Sequence, residues 1–167
     1  MKNKKIPALI FIIIILLSTG CQTGKKIEVY NMNEYSSLEF DENGKMIVRE
    51  GLMGLSVYGK GGEIIFQNIC VNSDYKENIS VADLSKDICR ELTVPIVFSG
   101  MGDMAYVKGI NGLFEFDCGT ESGWLYSVNG EYQGVGCGTY ILENGDYVEW
   151  HYTLDLGKDL GAFELDE

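Results

Sequence analysis

After about residue 37 the chain alternates short apolar runs with turn-forming residues, a pattern that predicts a series of β-strands. The predicted strands cover residues 38–40, 46–48, 54–58, 63–71, 96–98, 105–110, 123–128, 138–142 and 147–154. An Asn-Gly pair at 43–44 and the stretch Gly-Lys-Gly-Gly at 59–62 supply the backbone conformations that tight turns need. The first four segments therefore predict two hairpins.

One segment has helical rather than strand periodicity. Its apolar side chains recur at the spacing of a single helix face, at Val81, Leu84, Ile88 and Leu92. Ser80 is suited to cap this helix with Asp83 in its first turn, and Pro95 ends it. Several strands and one helix predict an α+β fold in which one face of a sheet covers the helix.

Two strands near the C-terminus carry large aromatic side chains. In the last strand one face is predicted to lie in the core, and it holds Val148, Trp150, Tyr152 and Leu154. In the stretch GWLYSV at 123–128, Trp124 and Tyr126 share a face with Val128. That face is either buried in the core or exposed as a surface against which a flat ligand lies. The alternation of side chains does not decide between the two.

The N-terminus has the layout of a secretory signal peptide. Three lysines within the first five residues precede an apolar run at 6–17, which is short for a membrane span, and small residues follow. The ending Leu-Ser-Thr-Gly-Cys resembles a bacterial lipobox, in which Cys21 takes a lipid. We therefore expect a signal peptide at 1–20, a lipid-anchored tether at 21–36 and one domain at 37–167. The alternative is an ordinary cleaved signal with an unmodified cysteine.

A lipid on Cys21 would hold the mature protein on the outer face of the bacterial cytoplasmic membrane, exposed to the outside. Removing residues 1–20 takes away three lysines and no acidic residue, so the net charge falls from −12 to −15. Phosphate backbones would be repelled by such a chain. Nucleic acid is therefore not an expected partner.

Four cysteines remain besides Cys21, and an even number in an exported chain predicts disulfides. Three connectivities are open, and we predict the two local pairs, Cys70 with Cys89 and Cys118 with Cys137, because each closes a short loop. The alternative is a metal site. It is disfavoured because no two of these cysteines form a Cys-x-x-Cys motif and His151 is the single histidine.

No catalytic constellation is apparent in the sequence. His151 and Glu149 lie on the polar face of a predicted strand with no nucleophile in view, which favours a solvated histidine. The acidic stretch at 155–159 does not have the spacing of a calcium loop. We therefore expect a binding protein rather than an enzyme, without a resident metal.

A run of motifs is similar to a known family. The motifs are, in order, YVKGINGL at 106–113, EFDCG at 115–119, SGWLYSVNGE at 122–131 and GCGTYILENGDYVEWHYTLDLGKDLG at 136–161. Together they resemble the DUF4430 family, also described as transcobalamin-like C-terminal domains. The resemblance covers about residues 50–163.

The resemblance implies a β-grasp fold of the soluble-ligand-binding type and a corrinoid such as cobalamin as ligand. By position, Trp124 and the loop of Tyr132, Gln133, Gly134, Val135 and Gly136 match the ligand-contacting parts of the family, and Tyr126 lies beside Trp124. Transcobalamin and intrinsic factor enclose their ligand with a further helical domain, which this chain lacks. Tight binding would therefore need a second corrinoid-binding protein or a dimer.

Two functions remain open at this point. The first is a lipoprotein that captures a corrinoid and passes it to an uptake transporter. The second is a non-catalytic extracellular module that binds protein or glycan partners. A single domain on a lipid anchor is the layout common among solute-capture proteins, so we favour the first.

Overall fold

The computed structural model describes residues 27–32, 39–40, 46–47 and 51–162, with the backbone alone at 39–40, 46–47 and 103. The predicted signal peptide, Cys21 and the start of the predicted tether lie outside the described residues. Within the described ranges, no helix is long and apolar enough to cross a membrane.

The described chain forms three sheets and one α-helix, as an α+β fold. The strands are β1 (Val29–Asn31), β2 (Glu39–Phe40), β3 (Met46–Ile47), β4 (Leu52–Tyr58), β5 (Ile64–Asn72), β6 (Ile96–Ser99), β7 (Tyr106–Ile110), β8 (Leu113–Phe114), β9 (Gly123–Val128), β10 (Glu131–Tyr132) and β11 (Tyr147–Thr153), and the helix is α1 (Val81–Glu91). The main sheet has the order β1-β5-β4-β11-β9-β10. The strands β2-β3 and β6-β7-β8 form the two smaller sheets.

Both predicted hairpins are confirmed. The β2 and β3 strands pair antiparallel, and so do β4 and β5. The two central strands of the main sheet are not a hairpin. They are β4 and β11, which pair in parallel with Gly54 opposite Tyr147. A parallel pair needs a long crossover connection, and here most of the domain, including α1, lies between the two strands.

The predicted tether is wrong for residues 27–32, because these residues belong to the folded domain. The β1 strand pairs antiparallel with β5 at the edge of the main sheet. Ile27 and Met32, on either side of the strand, are both buried. The sequence of this segment is polar on average, but its few apolar side chains become buried when the segment pairs with the edge of β5.

The predicted helix is confirmed, and it covers one face of the main sheet. Ser80 caps α1 by accepting a hydrogen bond at its side chain from the N–H of Asp83, 3.1 Å away, while the Asp83 carboxylate accepts from the N–H of Ser80. This reciprocal arrangement satisfies two donors that a helix start leaves open. The buried stripe of Val81, Leu84 and Ile88 then packs into the core.

The predicted strand at 138–142 is wrong. This segment makes an isolated bridge between Ile141 and Ser80 instead of a ladder. The N–H of Val81 donates to the carbonyl of Tyr140 at 3.1 Å, and the N–H of Leu142 donates to the carbonyl of Ile79 at 2.8 Å. The segment therefore pairs with the chain just before α1, where the start of the helix leaves no room for a longer ladder.

The core face of the last strand is confirmed for Val148, Trp150 and Tyr152, which are buried against the helix side of the sheet. The prediction is wrong for Leu154, which is 40% exposed. Leu154 lies one residue beyond the end of β11, so the alternation of faces no longer applies to it.

The sheet face opposite α1, called here the far face, holds a smaller buried cluster. Tyr147 lies there with Met32 and Cys70. The Tyr147 hydroxyl donates to the Asn68 side-chain oxygen at 3.0 Å and also hydrogen-bonds Ser56. The N–H of Asn68 donates to the same serine at 2.9 Å. These bonds satisfy the polar groups that the cluster buries.

Neither predicted disulfide is present, since the four cysteines are thiols. The Cys70–Cys89 pairing is wrong for a clear geometric reason. Cys70 alternates with Ile69 and Val71, which face α1, so its thiol lies on the far face, whereas Cys89 is on the helix. The sheet separates the two. Cys137 is buried on the helix side, where its thiol donates to the carbonyl of Ala105 at 3.3 Å.

These environments predict one reactive thiol in the folded protein. Cys118 is partly exposed, whereas burial raises the pKa of Cys70 to about 11, of Cys89 to about 12 and of Cys137 to about 11. Thiolates are the reactive form, so buried thiols with raised pKa values react slowly.

The measurement is labelling of a fragment from Gln22 to Glu167 with a chromogenic disulfide reagent at pH 8. We expect one fast thiol in the native state and all four in denaturant. If no thiol reacts even in denaturant, the cysteines form disulfides in solution, and the assignment of four free thiols is wrong.

Candidate ligand-binding site

Trp124 and Tyr126 belong to the core. The structure leaves them 8% and 6% exposed, on the face of β9 that packs towards α1. The Trp124 indole N–H donates to the carbonyl of Leu113 at 3.0 Å, and the Tyr126 hydroxyl donates to the carbonyl of Val135 at 2.8 Å. Their polar atoms are therefore already used, and neither ring offers a face on which a flat ligand could lie.

Tyr132 lies on the opposite side of the sheet from these two rings. In the antiparallel pair β9-β10 it is the partner of Ser127, and directly paired residues share a face. Ser127 is also the partner of Glu149 on β11. The structure thus separates Tyr132 from Trp124 and Tyr126, although the sequence analysis grouped all three as ligand contacts.

Tyr132 instead joins three other side chains on the far face, and we call the four the far-face site: Tyr58, Tyr132, Glu149 and His151. The His151 ring stacks on Tyr58 with centroids 5.0 Å apart and planes 18° apart. Tyr132 meets the same imidazole edge-on at 5.9 Å. All four side chains are half-buried. The register explains the grouping, because Tyr58 is the partner of His151 in the parallel pair β4-β11.

Small side chains flank Glu149 on both neighbouring strands. Glu149 has Ser56 as its partner on β4 and Ser127 as its partner on β9. Both serines are buried. Glu149 therefore lies on the far face between β4, which carries Tyr58, and β10, which carries Tyr132 on the other side of β9.

The polar groups of the far-face site have no hydrogen-bond partner among the residues that the structure describes. Burial raises the pKa of Glu149 and lowers the pKa of His151. The pKa of Tyr132 is raised, chiefly by burial and then by Glu149 and Asp159. Each shift opposes the charged form of the group. At neutral pH the imidazole is therefore uncharged and has a nitrogen free to accept a hydrogen bond.

The predicted ligand loop, residues 132–136, continues from Tyr132 around the edge of the sheet. Val135 is 49% exposed, and its carbonyl is held by the Tyr126 hydroxyl. Just beyond, the carbonyl of Cys137 accepts from the N–H of Ala82 at 2.9 Å. The Gln133 side chain donates to the carbonyl of Glu131 at 2.8 Å, and Thr139 N–H donates to the carbonyl of Gly136 at 2.9 Å. The loop is thus anchored at both ends.

Gly134 forms the exposed tip of this loop. A side chain at this position would meet no atom within 4 Å, so the space in front of the backbone is open. Its N–H and carbonyl make no hydrogen bond with the described chain. Backbone groups presented in this way can bond a ligand rimmed with amides.

Sequence reasoning missed three members of the far-face site, Tyr58, Glu149 and His151. The prediction of a solvated histidine is wrong, because His151 is half-buried between two tyrosine rings. One signal was present: Glu149 and His151 alternate on a single strand face. The neighbour that completes the site, Tyr58, is 93 residues away from His151 in the chain and is brought there by the parallel pairing.

Comparison with known proteins confirms the family resemblance for part of the chain. Residues 90–153, from the end of α1 to the end of β11, match the family described as "Domain of unknown function (DUF4430)". No curated protein matches.

Among solved structures, one similar chain is described as a "putative metal binding protein" from Ruminococcus gnavus, with 14% identity, a TM-score of 0.45 and coverage of 62% of this chain and 97% of that one. In the ranges described for the present protein, no three His, Cys, Asp or Glu side chains are grouped to hold a metal ion.

Proposed function

We propose that this protein is a non-catalytic lipoprotein that binds a soluble ligand at the ligand loop and passes it to an uptake system. We further propose a β-grasp architecture, which the helix on one face of a mixed sheet with parallel central strands supports. The anchor at Cys21 would hold it on the outer face of the bacterial cytoplasmic membrane. A corrinoid is the ligand that the family resemblance implies.

The observation that carries the proposal is the construction of the ligand loop. The loop exposes Gly134 and Val135 at its tip. It is held by the Tyr126 hydroxyl, which bonds the carbonyl of Val135, and by the N–H of Ala82 in α1, which bonds the carbonyl of Cys137. A loop that is held rigidly while it leaves backbone groups and an apolar side chain uncovered loses little entropy on binding. This combination suits a large, largely apolar ligand with an amide rim.

The test is a titration of the fragment from Gln22 to Glu167 with cobalamin and with cobinamide, followed by calorimetry and visible absorbance. We expect saturable binding at one site, weakened at least about tenfold by Val135→Asp because the new carboxylate must lose its hydration against the ligand. Val97→Asp, at another exposed valine in the three-stranded sheet, is the matched control and should bind normally. Absence of heat and of any spectral change would contradict the corrinoid proposal.

A second candidate is a module that binds a protein partner. Met101 and Met104 are 88% and 79% exposed, at the ends of a short helical turn. Gly138 packs against this turn so closely that a side chain there would lie 2.5 Å from the carbonyl oxygen of Gly102. The turn therefore stands beside the ligand loop. Exposed methionines make adaptable contacts with protein surfaces, which favours this candidate if corrinoids do not bind.

A further inference from the structure

We propose that the far-face site binds a small organic ammonium ligand, with its positive charge at Glu149 and its apolar body against the rings of Tyr58 and Tyr132. This site lies on the sheet face and is separate from the tip of the ligand loop, although Tyr132 borders both. The proposal therefore does not rest on corrinoid binding.

The tyrosines of the far-face site differ from the deeper tyrosines in their hydrogen bonding. The hydroxyls of the deeper tyrosines are bonded inside the protein: Tyr126 to the carbonyl of Val135, Tyr147 to Asn68 and Tyr152 to the carbonyl of Phe114. By contrast, the hydroxyls of Tyr58 and Tyr132 make no hydrogen bond within the described part of the chain, and neither do the side chains of Glu149 and His151. Partly desolvated polar groups that converge without partners are typical of a binding site.

The charges of the far-face site favour a positively charged ligand. Five titratable side chains belong to or influence the site: Tyr58, Tyr132, Glu149, His151 and, through its effect on Tyr132, Asp159. Because burial lowers the pKa of His151, the positive charge that the site could supply is missing at neutral pH. Of the charges within the site itself, the negative charge of Glu149 remains, and the whole chain carries −12. An anion would be repelled here, whereas a cation would be attracted.

The polar groups of the far-face site suit an organic cation better than a metal ion. Only Glu149 and His151 in this site are ordinary metal ligands, whereas protein-bound zinc and calcium require more. A primary ammonium group carries three N–H donors. The far-face site offers matching acceptors in the Glu149 carboxylate, the neutral imidazole of His151 and the tyrosine hydroxyl oxygens.

The aromatic rings of the far-face site suit the apolar part of such a ligand. The rings of Tyr58 and His151 are nearly parallel, and the ring of Tyr132 stands at 61° to the imidazole, so two tyrosine rings adjoin His151. Aromatic faces attract cations and also cover apolar surface. A ligand that combines an ammonium group with an aromatic or short alkyl body fits both features.

The experiment uses the full-length protein and benzylammonium as the probe, with neutral benzyl alcohol as the matched ligand. Binding is followed by calorimetry and by the imidazole NMR signals of His151, which are unambiguous because the chain has a single histidine. We expect saturable benzylammonium binding, shifted His151 signals and at least about tenfold weaker binding of benzyl alcohol. A bound cation should also lower the pKa of His151 further.

The decisive variant is Glu149→Gln, which keeps the size of the side chain and removes its charge. We expect it to weaken benzylammonium binding at least about tenfold, whereas Glu91→Gln, on the helix behind the sheet, should have no effect. Unperturbed His151 signals in the free variant would show that the site still folds. The proposal is overturned if benzylammonium does not bind, if benzyl alcohol binds equally well, or if Glu149→Gln binds normally.

The two proposals fail separately in these experiments. Corrinoid binding at the ligand loop should be insensitive to Glu149→Gln, and benzylammonium binding should be insensitive to Val135→Asp. Loss of one titration with retention of the other identifies which site is wrong.

Discussion

Replacing Trp150 with alanine is expected to lower the free energy of unfolding by about 3–5 kcal/mol, the usual cost of removing a large buried aromatic side chain. Trp150 is among the largest fully buried side chains, and it packs beside Tyr126 with ring centroids 5.3 Å apart. Its indole N–H donates to the hydroxyl of Ser85 on α1 at 2.8 Å. The substitution therefore opens a cavity between helix and sheet and removes a bond that joins them.

Urea unfolding of the 22–167 fragment, followed by circular dichroism, measures this loss. Trp150→Phe is the matched control, because it retains most of the ring volume and loses the indole N–H, and it should cost clearly less. If Trp150→Ala cost less than about 1 kcal/mol, the helix would not pack on this face of the sheet as described.

Gly54→Ala is expected to destabilise the protein by about 1–3 kcal/mol, although it adds a single methyl group. That methyl would overlap the ring of Tyr147, with its Cε2 atom only 2.6 Å away. The ring cannot move aside easily, because its hydroxyl is bonded to Asn68 and to Ser56 within a buried cluster. The central parallel pair β4-β11 would have to separate locally.

Thermal and urea unfolding of this variant should be compared with those of Gly134→Ala. A side chain at Gly134 would meet no atom within 4 Å, and the φ angle of Gly134 is not positive. That substitution should therefore change the free energy of unfolding by no more than about 0.5 kcal/mol. Equal stability of the two variants would show that Tyr147 does not lie over Gly54.

The helix is the element that the sequence predicts best. Its apolar stripe, its cap at Ser80 and its end before Pro95 are all local features, and each is found where the pattern places it. The segment at 138–142 shows the opposite case. It has strand-forming residues, but a strand also needs a partner of matching length, and the chain before α1 offers it only a bridge.

The candidate site shows the same division between local and long-range information. The alternation along β9 correctly groups Trp124 with Tyr126, and the structure assigns that face to the core. The family motif predicted Tyr132 as a ligand contact, and in the structure Tyr132 is a half-buried residue beside His151. Its neighbours Tyr58 and His151 are set by strand pairing, which a period of two along one strand does not encode.

By itself the sequence determined the local structure of this protein: one capped helix, the two N-terminal hairpins, and the alternating faces of β9 and β11, together with a net negative charge. Only the tertiary structure decided which residues meet. In it, residues 27–32 contain an edge strand, and β4 pairs with β11. Cys70 and Cys89 lie on opposite sides of a sheet. The physical reason is that propensities and periodicity act over a few residues, whereas strand order depends on the burial of the whole core.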